Sequence, residues 1–132
     1  MKNKTKFVLG IVILAAFLLT QSCKKNKCTA GSGGTLTIVA FPKHHGADTK
    51  PLWAFVKFNT KDSPGTNPAN YDLQIAGDST ENHIELENLK CGDYYIYEMA
   101  IDPAINDTVM GGVPFSTEET TGEVNVNVAV TE

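Results

Sequence analysis

The sequence predicts an all-β fold, a single antiparallel β-sandwich of about seven strands that follows an N-terminal signal helix. Apolar and polar residues alternate with period two from Thr35 onward, and no stretch of ten or more residues carries helical periodicity. Turn-forming clusters separate the alternating stretches, among them "DSPGTNPAN", "AGDST", "DPAIND" and "MGG". An open barrel is the alternative arrangement of the same strands.

Each alternating stretch predicts one strand. In the first, Leu36, Ile38 and Ala40 share one face. Tyr94–Ile101 is apolar on both faces, which is typical of a central strand. The predicted strands are, in chain order, Thr35–Phe41, Leu52–Asn59, Tyr71–Ile75, His83–Leu86, Tyr94–Ile101, Val113–Ser116 and Glu123–Val130, the last with four valines on one face.

The first nineteen residues have the organisation of an export signal. Met1–Lys6 carries three lysines and no acid, and Phe7–Leu19 is a run of thirteen apolar residues without a charge. Such a run is too short to cross a bilayer comfortably, which takes about 20 residues. A basic segment before a short apolar one is typical of a cleaved signal peptide. We therefore expect residues 1–22 to be a signal peptide.

The cysteine behind this segment lies in a context that resembles the lipobox of bacterial lipoproteins. In "LLTQSC" the small residue Ser22 precedes Cys23. The resemblance implies that Cys23 becomes the first residue of the mature protein and carries a covalent diacylglycerol and acyl lipid such as palmitate. Lys24 and Lys25 imply sorting to the outer membrane, and the lack of an acidic run favours the periplasmic face over the cell surface. The alternative is ordinary cleavage at an A-x-A-like site, but none lies close behind the apolar run.

The two remaining cysteines, Cys28 and Cys91, form an even pair in an exported domain, which indicates a disulfide. They lack the C-x-x-C spacing of sulfur-bound zinc sites. Between Cys28 and the first strand lies "TAGSGG", whose composition is that of a flexible linker. The predicted organisation is therefore a signal peptide at 1–22, a lipid anchor and linker at 23–34, and the folded domain at 35–132.

A second resemblance lies in "LKCGDYYIYEMAIDP", residues Leu89–Pro103. This stretch is similar to the "L-x-P-G-x-Y-x-L" turn and strand of transthyretin-like and carboxypeptidase-regulatory-like β-sandwich domains, with Cys91 in the place of the proline. The resemblance implies that Tyr94 and Ile96 enter the core. The alternative to a transthyretin-like sandwich is an immunoglobulin-like one. The mature region as a whole also resembles small bacterial lipoproteins. These likenesses imply a fold and no activity.

The charge of the chain from Cys28 onward disfavours one class of partner. From Cys28 onward the chain has five lysines against fifteen acids, a formal balance of −10, and it contains no arginine. A polyanion would be repelled, so nucleic acid is not an expected partner. Most of the acids fall in turns or on the solvent face of the predicted strands, where they increase solubility.

The three histidines are the candidate metal ligands. "FPKHHG" holds His44 and His45, and His83 begins a later strand. Neutral imidazole is a common ligand of copper and zinc, and either ion would be natural cargo in the periplasm. Adjacent residues of a strand point to opposite faces, although a loop relaxes that rule. The alternative is a polar loop, with His83 on the solvent face.

No catalytic motif accompanies these residues. The sequence has neither a G-x-S-x-G nucleophile elbow nor an H-E-x-x-H zinc motif, so no enzyme activity is predicted. We expect a non-catalytic binding or accessory module of the cell envelope, anchored in the outer membrane, with a protein or glycan partner. Trp53, Phe55 and Lys57 share one strand face and are the candidate contact surface, although the same side chains would equally suit packing between two sheets. The alternative function is periplasmic binding of copper or zinc through the histidine loop.

Overall fold

The protein is described by a computed structural model over residues 28–132. This part of the chain is all-β, with no α-helix and a single 3₁₀ turn at Pro68–Asn70. No helix within it is long and apolar enough to cross a membrane. The predicted signal peptide and the predicted lipid site at Cys23 lie outside the described residues.

Eight strands form two sheets of four strands each. All seven predicted strands are present, and the additional one is a two-residue strand that completes a hairpin. The strands are β1 Ser32–His44, β2 Ala47–Asp48, β3 Lys50–Phe58, β4 Leu73–Ala76, β5 Ile84–Leu89, β6 Gly92–Asp102, β7 Asp107–Thr117 and β8 Thr121–Ala129.

The first sheet is built around β1, which pairs with β2 and β5 antiparallel and with β8 in parallel. The second sheet has the order β4-β3-β6-β7, and every neighbouring pair in it is antiparallel. The parallel pair arises because β8 reverses direction after β7, an edge strand of the second sheet, and then joins the first sheet. The sandwich is otherwise antiparallel, as predicted.

The core lies between the two sheets and is filled by the inward-facing positions of β1, β3, β5, β6 and β8. Tyr94 and Ile96 are fully buried in it, which confirms the inward position predicted for both. Strand β6 lies between β3 and β7, as its two apolar faces indicate. The largest apolar side chains of the core include Leu36, Ile38, Leu86, Leu89, Tyr94, Ile96, Val56, Val109 and Val128.

The turn predicted at "MGG" is wrong, because Met110–Gly112 lies inside the eleven-residue strand β7. The two glycines serve close packing here. A Cβ atom on Gly111 would lie 2.2 Å from the carbonyl oxygen of Ala129, and one on Gly112 would lie 2.6 Å from the ring of Tyr95. Glycine within a strand often marks such an approach of neighbouring atoms.

The stretch predicted to be a linker is part of the folded structure from Cys28 onward. Strand β1 begins at Ser32, three residues before the predicted domain boundary. Ala30 is buried in the core cluster, and its carbonyl oxygen accepts a hydrogen bond from Asn59 Nδ2 at 3.1 Å. The disulfide predicted between Cys28 and Cys91 is present, with 5.2 Å between the two Cα atoms.

Candidate functional site

The outer face of the second sheet carries a cluster of aromatic side chains. Phe55 projects from β3 onto this face, and its ring centroid lies 5.7 Å from that of Tyr71 and 6.1 Å from that of Tyr97. All three rings are buried, although they lie outside the main core between the sheets. Tyr95 and Met99 pack against them. We call this group the aromatic cluster.

A loop fixes the aromatic cluster from the side of β4. The hydroxyl of Tyr71 donates a hydrogen bond to the carbonyl oxygen of Gly65 at 2.7 Å, and the Gln74 side chain donates one to Pro68 at 3.1 Å. Asn67 caps the 3₁₀ turn between them by accepting a bond from the amide of Ala69. Burial raises the pKa of Tyr71 to about 12, so the hydroxyl keeps its proton and its role as donor. The loop is therefore tied to the aromatic cluster through Tyr71.

Trp53 is the exposed member of the predicted contact surface. Its side chain is 43% exposed, whereas Phe55 is only 5% exposed. The two rings stack with 6.4 Å between their centroids, so Phe55 supports Trp53 from the side of the cluster. Lys57 lies farther along the same face, and its Nζ donates a 3.0 Å hydrogen bond to Asp72. Of the three predicted contact residues, Trp53 presents the apolar surface and Phe55 packs beneath the loop.

A second group of polar residues forms where β1 ends. His44 is buried at the inward position of the strand, and its Nδ1 is 2.5 Å from Oδ2 of Asp102, the last residue of β6. The other carboxylate oxygen of Asp102 accepts a bond from the amide of Ala104 at 2.7 Å. The bond from His44 and the one from Ala104 hold the pKa of Asp102 below its usual value. The imidazole orientation of His44 is thus set by an ionised carboxylate.

The hairpin between β1 and β2 brings a second histidine beside the first. His45 and Gly46 have φ angles of 49° and 82°, and positive φ at both central residues is what a type I′ hairpin turn requires. The turn interrupts the strand alternation, so the rings of His44 and His45 lie on the same side with 4.2 Å between their centroids. Glu132 Oε1 lies 3.6 Å from His44 Nε2. One ligand atom from each of these three residues lies within 4.8 Å of the others.

His83 is not a member of this group. Its ring packs 5.3 Å from that of Phe41, its Nδ1 lies 3.1 Å from Asn82 Oδ1, and its Nε2 lies 3.7 Å from Glu85 Oε1. Among the described residues the third side chain beside His44 and His45 is Glu132. The sequence offered no local signal for Glu132, because it lies 87 positions from His45 and the contact depends on how β8 pairs with β1.

No protein-family model, curated protein or solved structure matches this chain. The lipobox resemblance and the transthyretin-like resemblance therefore stay predictions, and the function has to be argued from the residues themselves.

The core also contains a buried carboxyl group. Glu98 is fully buried, and neither of its carboxyl oxygens has a hydrogen-bond partner among residues 28–132. Burial raises the pKa of Glu98 to about 8, because the charged form is poorly solvated there. A signal was present in the two-residue period of a strand. Glu98 shares the parity of Tyr94 and Ile96, so the inward position that the resemblance implies for these two residues also places Glu98 inward.

Proposed function

We propose that this protein is an outer-membrane-anchored lipoprotein whose β-sandwich is a non-catalytic binding or accessory module of the cell envelope. The observation that carries the proposal is Trp53, an exposed indole ring on a sheet face whose neighbouring rings are buried and held by a loop. The export signal and the lipobox-like "LLTQSC" support the anchor.

The surface around Trp53 has the properties of a recognition site. Tryptophan and tyrosine are enriched among the residues that dominate binding energy, and a supported ring loses little conformational entropy on binding. The negative balance of the mature region disfavours nucleic acid, so the partner class is an envelope protein or a glycan. The domain would keep its shape on binding, because the aromatic cluster is already packed.

The anchor and the disulfide together limit where such a partner lies. Cys28 is tied into the sandwich through Cys91, and only five positions separate it from Cys23. Even a fully extended chain of that length spans about 17 Å. The lipidated domain would therefore sit close to the bilayer, which restricts the partner to the membrane-proximal zone.

Lipidation is tested by replacing the modified residue. We expect the native N-terminal peptide to begin at Cys23 and to carry the mass of diacylglycerol plus an acyl chain. The Cys23→Ser variant should leave the outer-membrane fraction, because it lacks the lipid that partitions into the bilayer. Mass spectrometry and membrane fractionation measure the two outcomes. An unmodified Cys23 in the native protein would refute the anchor.

Partner binding is tested at Trp53. We expect Trp53→Ala to weaken binding of a crosslinked envelope partner by about 30-fold or more, the effect of losing a dominant interface residue. The melting temperature should fall by a few degrees at most, since the ring is 43% exposed and its removal leaves no cavity in the core. Affinity co-purification from crosslinked envelopes, followed by titration of the recovered partner, measures the loss.

Ile105→Ala is the matched control, because Ile105 is also an exposed apolar residue but lies in the turn between β6 and β7. It should keep full binding. Recovery of only bulk outer-membrane protein, or equal binding by the Trp53 variant and the wild type, would contradict the proposal.

A further inference from the structure

We propose that His44, His45 and Glu132 bind a divalent transition-metal ion, with Zn(II) and Cu(II) as the ions of matching chemistry, and that Asp102 is the positioning residue for His44. Two imidazole nitrogens suit these ions, and a carboxylate oxygen commonly completes such a zinc ligand set. Mg²⁺ and Ca²⁺ prefer sites made of oxygen donors. The inference concerns different residues from the Trp53 surface and does not depend on it.

The distances between the side chains fit a metal of this size. His44 Nε2 and Glu132 Oε1 are 3.6 Å apart, too far for a hydrogen bond of normal length. Two ligands that each lie about 2.0–2.1 Å from a tetrahedral Zn(II) are separated by about 3.4 Å. One ligand atom from each of the three residues lies within 4.8 Å of the others, so side-chain rotations would bring the three residues to a common ion.

The contact between His44 and Asp102 presents one nitrogen for coordination. In the neutral form of the imidazole, an N–H at Nδ1 donates a hydrogen bond to the Asp102 carboxylate and leaves the lone pair on Nε2. Nε2 is the atom that faces Glu132. A carboxylate behind a ligating histidine fixes its tautomer and orientation and increases its basicity, an arrangement that recurs in zinc sites. Asp102 is itself held by the amide of Ala104.

The backbone brings the other two ligands to this point. The turn at His45 places its ring beside that of His44, in spite of their adjacency in sequence. The amide of Val130 donates a 3.0 Å bond to the carbonyl of Lys43, and Thr131 and Met110 exchange two backbone bonds of 2.8 Å and 2.9 Å. The first bond holds the chain next to Glu132 against the end of β1, and the other two hold it against β7. His45 and Glu132 are exposed, which gives an ion access and leaves a coordination position for water.

The neighbouring positive charge does not oppose binding. Lys43 adjoins His44 in sequence, but its ammonium group is paired with the carboxylate of Asp48. The donor set therefore consists of two imidazole rings and the Glu132 carboxyl group, with Asp102 behind His44. A buried histidine that only stabilised the fold through Asp102 would require neither His45 nor Glu132, and this difference decides the test.

The test is isothermal titration of the purified full-length protein, in detergent micelles, with ZnCl₂ and separately with CuCl₂. We expect one ion per chain with micromolar or tighter affinity. His45→Ala and Glu132→Gln should each reduce the affinity about 10-fold or more, while the metal-free melting temperature stays unchanged because both side chains are exposed. His83→Ala is the matched control, and it should bind as the wild type does.

The role of Asp102 is tested separately. Asp102→Asn keeps a hydrogen-bond acceptor for His44 but removes the charge, and we expect the affinity to fall roughly 10–100-fold. The electron paramagnetic resonance spectrum of the Cu(II) complex should still show two nitrogen ligands in this variant and only one in His45→Ala. Millimolar affinity in the wild type, or binding that persists in His45→Ala and Glu132→Gln, would overturn the site. Equal loss in His83→Ala would overturn it as well.

Discussion

Replacing Glu98 with methionine is expected to increase the free energy of unfolding by about 3 kcal/mol at pH 7. The pKa of Glu98 is about 8 in the folded protein, against an ordinary value of 4.5. Folding at pH 7 therefore requires the carboxyl to take up a proton, and each unit between 4.5 and 7 costs about 1.4 kcal/mol. Methionine has a similar length and no polar group to desolvate, so the variant avoids this cost.

The same carboxyl predicts a pH dependence with a definite sign. Between pH 4.5 and about 8 the folded state holds one proton more than the unfolded state, so stability falls as the pH rises through this window. The fall amounts to about 5 kcal/mol in total and ends near pH 8, where both states are ionised. The lowered pKa values of Asp72 and Asp102 act only in the acidic range, where stability is lost as the pH falls.

Urea unfolding curves at intervals between pH 5 and pH 9 measure both effects. The downward slope of the wild type should be absent from Glu98→Met and also from Glu98→Gln, which keeps the shape of the side chain but cannot ionise. Glu87→Met is the matched control on the exposed face of β5, and it should retain the wild-type slope. If the free energy of unfolding depends on pH in the same way in the wild type and in both Glu98 variants, the Glu98 carboxyl is already ionised in the folded protein and the prediction is wrong.

The strands were predictable because alternation is a local property of the sequence. Leu36, Ile38 and Ala40 alternate with more polar neighbours, and a residue's face follows from its parity once one face is buried. The extent of β7 was not predictable in this way. Gly111 and Gly112 read locally as a turn, and only the approach of Ala129 and Tyr95 shows that they belong inside a strand.

The candidate sites also combine features that follow from local alternation with features that depend on contacts distant in sequence. The shared face of Trp53 and Phe55 follows from period two, but the burial of Phe55 depends on the loop that Tyr71 ties down through Gly65. His44 and His45 were singled out by residue type, whereas Glu132 reaches them only through the pairing of β8 with β1. Contacts between residues far apart in sequence carry no periodic signal. The sequence therefore predicts which residue types a site contains better than it predicts which individual residues come together there.

The disulfide gives the second large effect. Replacing Cys28 and Cys91 together with serine is expected to lower the free energy of unfolding by about 4 kcal/mol, because the bond closes a long loop and restricts the unfolded chain. The two cysteines are 63 positions apart. In the folded state the bond also holds the segment before β1, where Ala30 is buried and the Gly31 carbonyl accepts a 2.9 Å bond from the amide of Lys90.

Urea unfolding of the double variant, and of the wild type under reducing conditions, should show the same loss, since both remove only the sulfur bridge. Cys23→Ser is the matched control, because it removes a cysteine but keeps the bridge, and its unfolding curve should match that of the wild type. The two serine variants thus separate the predicted role of Cys23 in anchoring from the predicted role of the Cys28–Cys91 pair in stability. A double variant within about 1 kcal/mol of the wild type would contradict this prediction. It would mean that the bridge adds little constraint to the unfolded chain and that the pairing of β1 with β5 and β8 is enough to hold the folded strand.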